Sequence, residues 1–103
     1  MDINEKIKTQ LSEFPLLLYM KGTPDFPQCG FSATVCGILK ASEKRFAFVN
    51  ILEDPEIRDG LKTYSNWPTF PQLYINGELV GGCDIIEQMF ENGELKTLLD
   101  GVE

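Results

Sequence analysis

Histidine does not occur in these 103 residues. Its absence removes the commonest general base, the commonest zinc ligand and any Cys-His catalytic pair. Cysteine is scarce: Cys29, Cys36 and Cys83 make three. An odd number forms no closed disulfide framework, and three thiolates do not complete a four-ligand metal site. Basic charge is thin too, nine Lys and Arg against sixteen Asp and Glu for a net charge of −7. With no basic stripe to neutralise a phosphate backbone, no nucleic acid is expected as partner. No apolar run approaches the roughly 20 residues that span a bilayer, so no membrane association is expected. The opening MDINEKIKTQ is too charged for a secretory signal and too acidic for an organelle transit peptide, which makes a cytoplasmic location the expectation.

The chain is 43% hydrophobic and 24% charged, an ordinary globular composition that predicts one domain over 1–103. Ile3, Ile7, Leu11 and Phe14 recur on one face of a helix over 3–14, which Asp2 or Asn4 can cap. PLLLYM (15–20) is a continuous apolar run, the pattern of a strand buried on both faces. Gly22, Pro24 and Pro27 make 21–28 a loop. A second helix follows from Gly30 to about Ala41, with Phe31, Val35, Ile38 and Leu39 as its stripe, and then a strand over 45–51. Asp54-Pro55 is a strong helix start, with Ile57, Leu61 and Tyr64 facing inward. In QLYINGELVGG two short β-type runs flank Asn76-Gly77, the preferred pair for a two-residue hairpin. Asp84 can cap a helix through Phe90, and Gly93 separates it from a last one around Leu95 to Leu99. The order α-β-α-β-α-β-β-α-α predicts an α/β fold: a mixed four-stranded sheet, two parallel strands plus an antiparallel hairpin, flanked by helices.

Chemistry concentrates at Cys29, between a Pro/Gly-punctuated loop and a helix start. A thiol there faces unpaired backbone N–H groups and the positive end of the helix dipole, which favour thiolate over thiol. Lys21, at the end of the first strand, adds a positive charge. Cys36 lies seven helical residues on, about 10 Å along the axis, beyond the roughly 7 Å between Cα atoms that a disulfide tolerates; it is read as core. Cys83 follows a Gly-Gly turn and begins another helix, and three roles stay open for it: structural, close to Cys29, or offering only its backbone. WPTFPQLY (67–74) reads by itself as a turn entering a strand. A cis bond at either proline would turn the backbone outward and leave its N–H and C=O free to pair with another chain.

KGTP…QCGFS, WPTFPQLY, NGEL and GGCDI, in this order, resemble the monothiol glutaredoxins of the CGFS type, nearest to the single-domain bacterial form. The similarity covers essentially the whole chain and implies the thioredoxin fold. It also implies a glutathione site. Lys21 and Arg58 match the cations for the glycyl carboxylate. Thr69 and Phe70, before a Pro71 that is cis in the family, match the segment whose backbone pairs with the tripeptide. Gly82, Cys83 and Asp84 match the segment that takes the γ-glutamyl head: N–H groups at a helix start hold its carboxylate, and the Asp84 side chain faces its ammonium.

A dithiol enzyme carries a second cysteine where this chain has Ser32, a residue that cannot attack sulfur and is read as a cap or hydrogen-bonding group of the first helical turn. A [2Fe–2S] cluster needs four ligands, most often thiolates. Cys29 and a bound glutathione supply two, and a second such unit around a twofold axis makes four. The resemblance implies this same function: carriage and delivery of a glutathione-ligated [2Fe–2S] cluster bound by Cys29 at a homodimer interface. It implies BolA-type proteins as alternative partners in a mixed dimer, and apo iron–sulfur proteins as acceptors. The competing reading is a glutathione-dependent thiol-disulfide oxidoreductase that uses Cys29 alone, or with Cys83 as resolving thiol.

Overall fold

A computed structural model describes residues 2–102 of the chain. In it the order is α1 (Ile3–Glu13), β1 (Leu16–Met20), α2 (Gly30–Ala41), β2 (Ala47–Asn50), α3 (Pro55–Ser65), β3 (Gln72–Ile75), β4 (Glu78–Gly81), α4 (Cys83–Asn92) and α5 (Glu94–Asp100). This is the expected alternation.

Local chemistry explains most boundaries. The Asp2 carboxylate accepts the Glu5 N–H at 2.9 Å and starts α1. Asp54 accepts the Ile57 N–H at 3.2 Å and starts α3, with Pro55 in its first turn. Asn76 and Gly77 sit at φ 51° and 81°, the left-handed pair that a tight hairpin requires and that matches strand twist. One expected cap is corrected. Asp84 does not cap α4; Gly82 holds that position, and Asp84 lies inside the first turn of a helix that continues to Asn92. The Gly-Gly turn needs no side chain there.

The strands are ordered β2-β1-β3-β4, with β1 parallel to β2 and antiparallel to β3. All five residues of β1 are buried, because both faces of the sheet are covered. Leu16, Leu18 and Met20 point into a core shared with α2, α4 and α5 through Val35, Leu39, Ile86, Leu95 and Leu99. Leu17 and Tyr19 point to the other face, against Ile7 and Leu11 of α1 and Ile57 and Leu61 of α3. Each fully buried Leu or Ile contributes roughly 1.5–3 kcal/mol. The Tyr19 and Tyr74 rings pack edge to face at 5.5 Å, and the Tyr19 hydroxyl donates to Gln10 Oε1 at 2.8 Å.

Three aromatics assigned to helix stripes are exposed: Phe14, Phe31 and Tyr64. Phe14 is the extended residue after the last turn of α1, so it leaves the buried face. Tyr64 lies a turn beyond Leu61, at the end of α3. Phe31, 61% exposed, sits in the first turn of α2, beside a groove rather than over the core.

Candidate active site around Cys29

The pairing of β1 with β3 decides where the chemistry gathers. Tyr19, near the end of β1, lies opposite Gln72, the first residue of β3. Leu73 pairs with Gly81, the last residue of β4. The exit of β1, the WPTFP segment and the start of α4 therefore meet at one end of the sheet.

The 21–28 loop that delivers Cys29 is closed by its own backbone. Gln28 N–H donates to the Lys21 carbonyl at 2.9 Å, and Phe26 and Thr23 exchange backbone bonds at 3.0 and 3.3 Å. Gly22 has φ 94°, and a Cβ on it would stand 2.6 Å from Phe26 O, so only glycine fits. Its N–H donates to Asn50 Oδ1 at 2.9 Å, and the same oxygen accepts the Leu52 N–H at 3.0 Å. Asn50 thereby ties the loop to the end of β2.

Cys29 is the N-cap residue of α2, extended at φ −149°, and partly exposed. Its thiol makes no formal cap hydrogen bond, so the field of nearby dipoles and charges sets its acidity. The Ser32 backbone N–H does most to lower the pKa, against the opposing effect of partial burial; the Phe31 N–H, the Lys21 charge and the Ser32 hydroxyl add to it. Ser32 is fully buried, and its Oγ accepts the Lys21 N–H at 3.1 Å. That corrects the expected role: the hydroxyl bonds across to the end of β1 rather than only within its own turn.

Next to Cys29 runs a groove of about 290 Å³ lined by Phe31, Trp67, Thr69, Phe70, Gly82, Cys83, Asp84 and Ile85. Five of the expected site residues, Thr69, Phe70, Gly82, Cys83 and Asp84, thus line one surface. The Phe70–Pro71 bond is cis, and Pro71 is buried behind it. Gln72, fully buried, donates through Nε2 to the Trp67 and Thr69 carbonyls at 3.0 and 3.2 Å and holds the segment in place. A Cβ on Gly82 would lie 3.3 Å from both Pro71 O and Trp67 Nε1, so glycine lets the start of α4 approach the wall. Among the described residues, Trp67 Nε1 is buried without a hydrogen-bond partner. No side chain caps α4, which leaves its first-turn N–H groups available to an anion.

The remaining expected residues separate. Lys21 is half-buried at the end of β1, close enough to act on Cys29. Arg58 lies on α3, with Nη1 3.2 Å from Asp59 Oδ1, outside the groove lining. Cys36 is buried with Sγ 3.4 Å from Met20 Sδ, and burial pushes its thiol up against the opposing pull of Lys40. Cys83 is buried at the groove, its thiol donating to Glu87 Oε1 at 3.2 Å. Burial first, then the Glu87 hydrogen bond and charge, then Asp84 and Cys29, push it up to about 11. Asn50, Trp67, Gln72 and Glu87 carry no expectation from the sequence. Only Glu87 has a local signal, an acid four residues after a helix-starting cysteine.

The glutaredoxin family profile matches residues 16–80. Glutaredoxin 4 of Pasteurella multocida is 57% identical over 102 residues, which covers 99% of this chain and 94% of the relative. Glutaredoxin 4 of Escherichia coli K12 is 57% identical over 95 residues, 92% of this chain and 83% of the relative. The solution structure of reduced poplar apo GrxS14 superposes with a TM-score of 0.83 at 50% identity, covering 95% of this chain and 90% of that one.

Proposed function

The chain belongs to the glutaredoxin family, in its monothiol form and on the thioredoxin fold, and from that premise we propose that it carries a [2Fe–2S] cluster as cargo and delivers it to apo iron–sulfur proteins. Cys29 is the protein ligand, glutathione supplies the sulfur beside it, and a second subunit repeats the pair. The observation that carries this reading is the contrast among the three sulfurs. Cys29 is partly exposed and biased toward thiolate, whereas Cys36 and Cys83 are buried and biased toward thiol. Among the described residues no group of three or more His, Cys, Asp or Glu side chains is placed to hold a metal ion. A four-sulfur centre therefore draws on ligands beyond one chain.

The groove fits a glutathione. Its uncapped helix start suits the γ-glutamyl carboxylate, with Asp84 toward the ammonium. The backbone of Thr69 and Phe70 before the cis Pro71 suits the peptide, and Lys21 the glycyl carboxylate, with Arg58 as a more distant cation. Phe26 and Phe31, 74% and 61% exposed on either side of Cys29, give the site an apolar rim that suits a second subunit or a BolA-type partner. A cytosolic setting, where thiols stay reduced, belongs to the same reading.

Glutathione-dependent thiol-disulfide exchange is the second reading, favoured by the lowering of the Cys29 thiol pKa by the amides of its helix start: this sulfur can take glutathione from a mixed disulfide, and a second glutathione can remove it. Anaerobic reconstitution with iron and sulfide, with and without glutathione, tests the carrier. The expected result is a brown dimer with visible absorption only when glutathione is present. Iron held without glutathione, or a colourless monomer that turns over glutathione mixed disulfides, rejects it.

A further inference from the structure

Gln72 opens β3 from inside the protein. It is fully buried, Leu73, Tyr74 and Ile75 after it are buried too, and a primary amide in such a place is unfavourable unless its polar atoms are paired. Here both ends are paired. Nε2 donates to the Trp67 and Thr69 carbonyls at 3.0 and 3.2 Å, and Oε1 accepts the Tyr74 hydroxyl at 3.0 Å. Both amide hydrogens are used, and the partners fix which way the amide points: two carbonyls require the nitrogen, and the phenol gives its proton to the oxygen. Tyr74 itself is braced by the Tyr19 ring, edge to face at 5.5 Å.

This amide sorts the backbone polar groups of the groove wall. Trp67 is held on both sides, its N–H donating to Ser65 Oγ at 3.2 Å and its C=O accepting from Gln72. The Thr69 C=O is turned to Gln72 as well. Phe70, which lines the groove, differs: among the described residues neither its N–H nor its C=O has a hydrogen-bond partner. We propose that Gln72 is a positioning residue for the tripeptide: by drawing the Trp67 and Thr69 carbonyls inward, it leaves the Phe70 N–H and C=O as the donor and acceptor that an extended peptide pairs with. With an apolar side chain in its place, both carbonyls would have to turn elsewhere for a partner, and the presentation of Phe70 would change with them. The role rests on the glutathione site proposed above and is independent of iron.

The test compares the full chain with Gln72→Met, which keeps the length of the side chain but donates no hydrogen bond. Reduced protein is mixed with glutathione disulfide or with hydroxyethyl disulfide, which lacks the peptide. Loss of the free Cys29 thiol is followed by quenching with iodoacetamide and peptide mass. In either reaction the Cys29 thiolate attacks one disulfide sulfur, a mixed disulfide forms, and the other half leaves as its thiolate. The parent is expected to prefer glutathione disulfide. The variant is expected to lose about three- to tenfold of that rate, the worth of one hydrogen bond. Its rates with hydroxyethyl disulfide and iodoacetamide should hold, because the substitution is neutral and lies outside α2. Tyr74→Phe keeps both carbonyl bonds but releases Oε1; it is expected to lose about two- to threefold of the same rate and decides the matter if Gln72→Met does not fold. Equal loss with both disulfides, or a lower melting temperature with unchanged rates, overturns the positioning role and leaves the glutathione site standing. A parent with no preference for glutathione disulfide overturns the site, and the role of Gln72 with it.

Discussion

Two helices of this protein begin with a cysteine, yet the two thiols are driven in opposite directions. Cys29 is the N-cap of α2, whereas Cys83 is the first residue inside α4, after Gly82. One position makes the difference. An N-cap side chain reaches forward to the N–H groups of the second and third helical residues, here Phe31 and Ser32, the two amides that lower the pKa of Cys29. A side chain one step further in lies among its own helix neighbours and meets Glu87. Cysteine at a helix start is therefore not by itself an activated thiol. Cap position and the sign of the neighbouring charge decide it.

The largest effect breaks the comparison by removing one side of it. Cys29→Ser should abolish the fast-reacting thiol in alkylation and all visible absorption after reconstitution with glutathione. Persistence of a full-strength cluster in that variant would move the ligand to another sulfur. Cys36→Ser, on a sulfur of neither helix start, should leave both measurements unchanged. It buries a hydroxyl against Met20, which costs about 1–3 kcal/mol if unpaired. Thermal or urea unfolding reads that loss, and a fall in cluster yield at constant folded fraction would contradict the packing role.

Most of the frame is legible in the residues because it rests on local rules. Asn76-Gly77 dictates the hairpin, Asp54-Pro55 starts α3, and LLLYM without alternation announces a strand covered on both faces. The site is legible in part because its segments carry motifs, and five motif residues do line one groove. What composition and spacing do not reveal is long-range hydrogen bonding. Ser32 bonds to Lys21 across eleven residues and Asn50 to Gly22 across twenty-eight, while Gln72 sits inside an apolar strand yet fastens the cis-proline segment. Phe31 misleads for a physical reason: helical spacing places it on the core stripe, but the first turn of α2 extends past the core to the groove.

A smaller effect sharpens the comparison from a third helix start. α1 and α3 are capped by Asp2 and Asp54, whose carboxylates already take the first-turn N–H groups, while α2 and α4 have no side-chain cap. The capped ends spend their amides on stability, and the uncapped ends leave theirs available to sulfur or an anion. Asp54→Ala should cost about 1 kcal/mol, rising toward 2 with the Lys6 pair at 2.9 Å included. The pH dependence has a definite sign. Despite partial burial, which raises it, the Asp54 pKa is lowered in the fold by Lys6 and the first-turn N–H groups. Its stabilisation is thus present above the unfolded value of about 3.9 and is lost as pH falls through the lower folded value. Melting curves of parent and variant should converge in strong acid. A gap that stays constant there would assign the loss to packing.

The smallest effect separates amide from cation at Cys29. The Ser32 amide acts on the thiolate more strongly than the Lys21 charge does, and Lys21 is partly in solvent, where a single charge contributes a few tenths to about 1 kcal/mol. Lys21→Ala should therefore slow alkylation of Cys29 at neutral pH by roughly two- to fivefold, with the Cys83 rate unaltered. The same change should weaken with added salt, because screening at high ionic strength removes the lysine's contribution from the parent chain as well. The Ser32–Lys21 bond runs to the backbone N–H, which alanine retains, so the loop geometry survives the substitution. A loss far beyond fivefold would place the lysine, rather than the cap position, at the root of the difference between the two thiols.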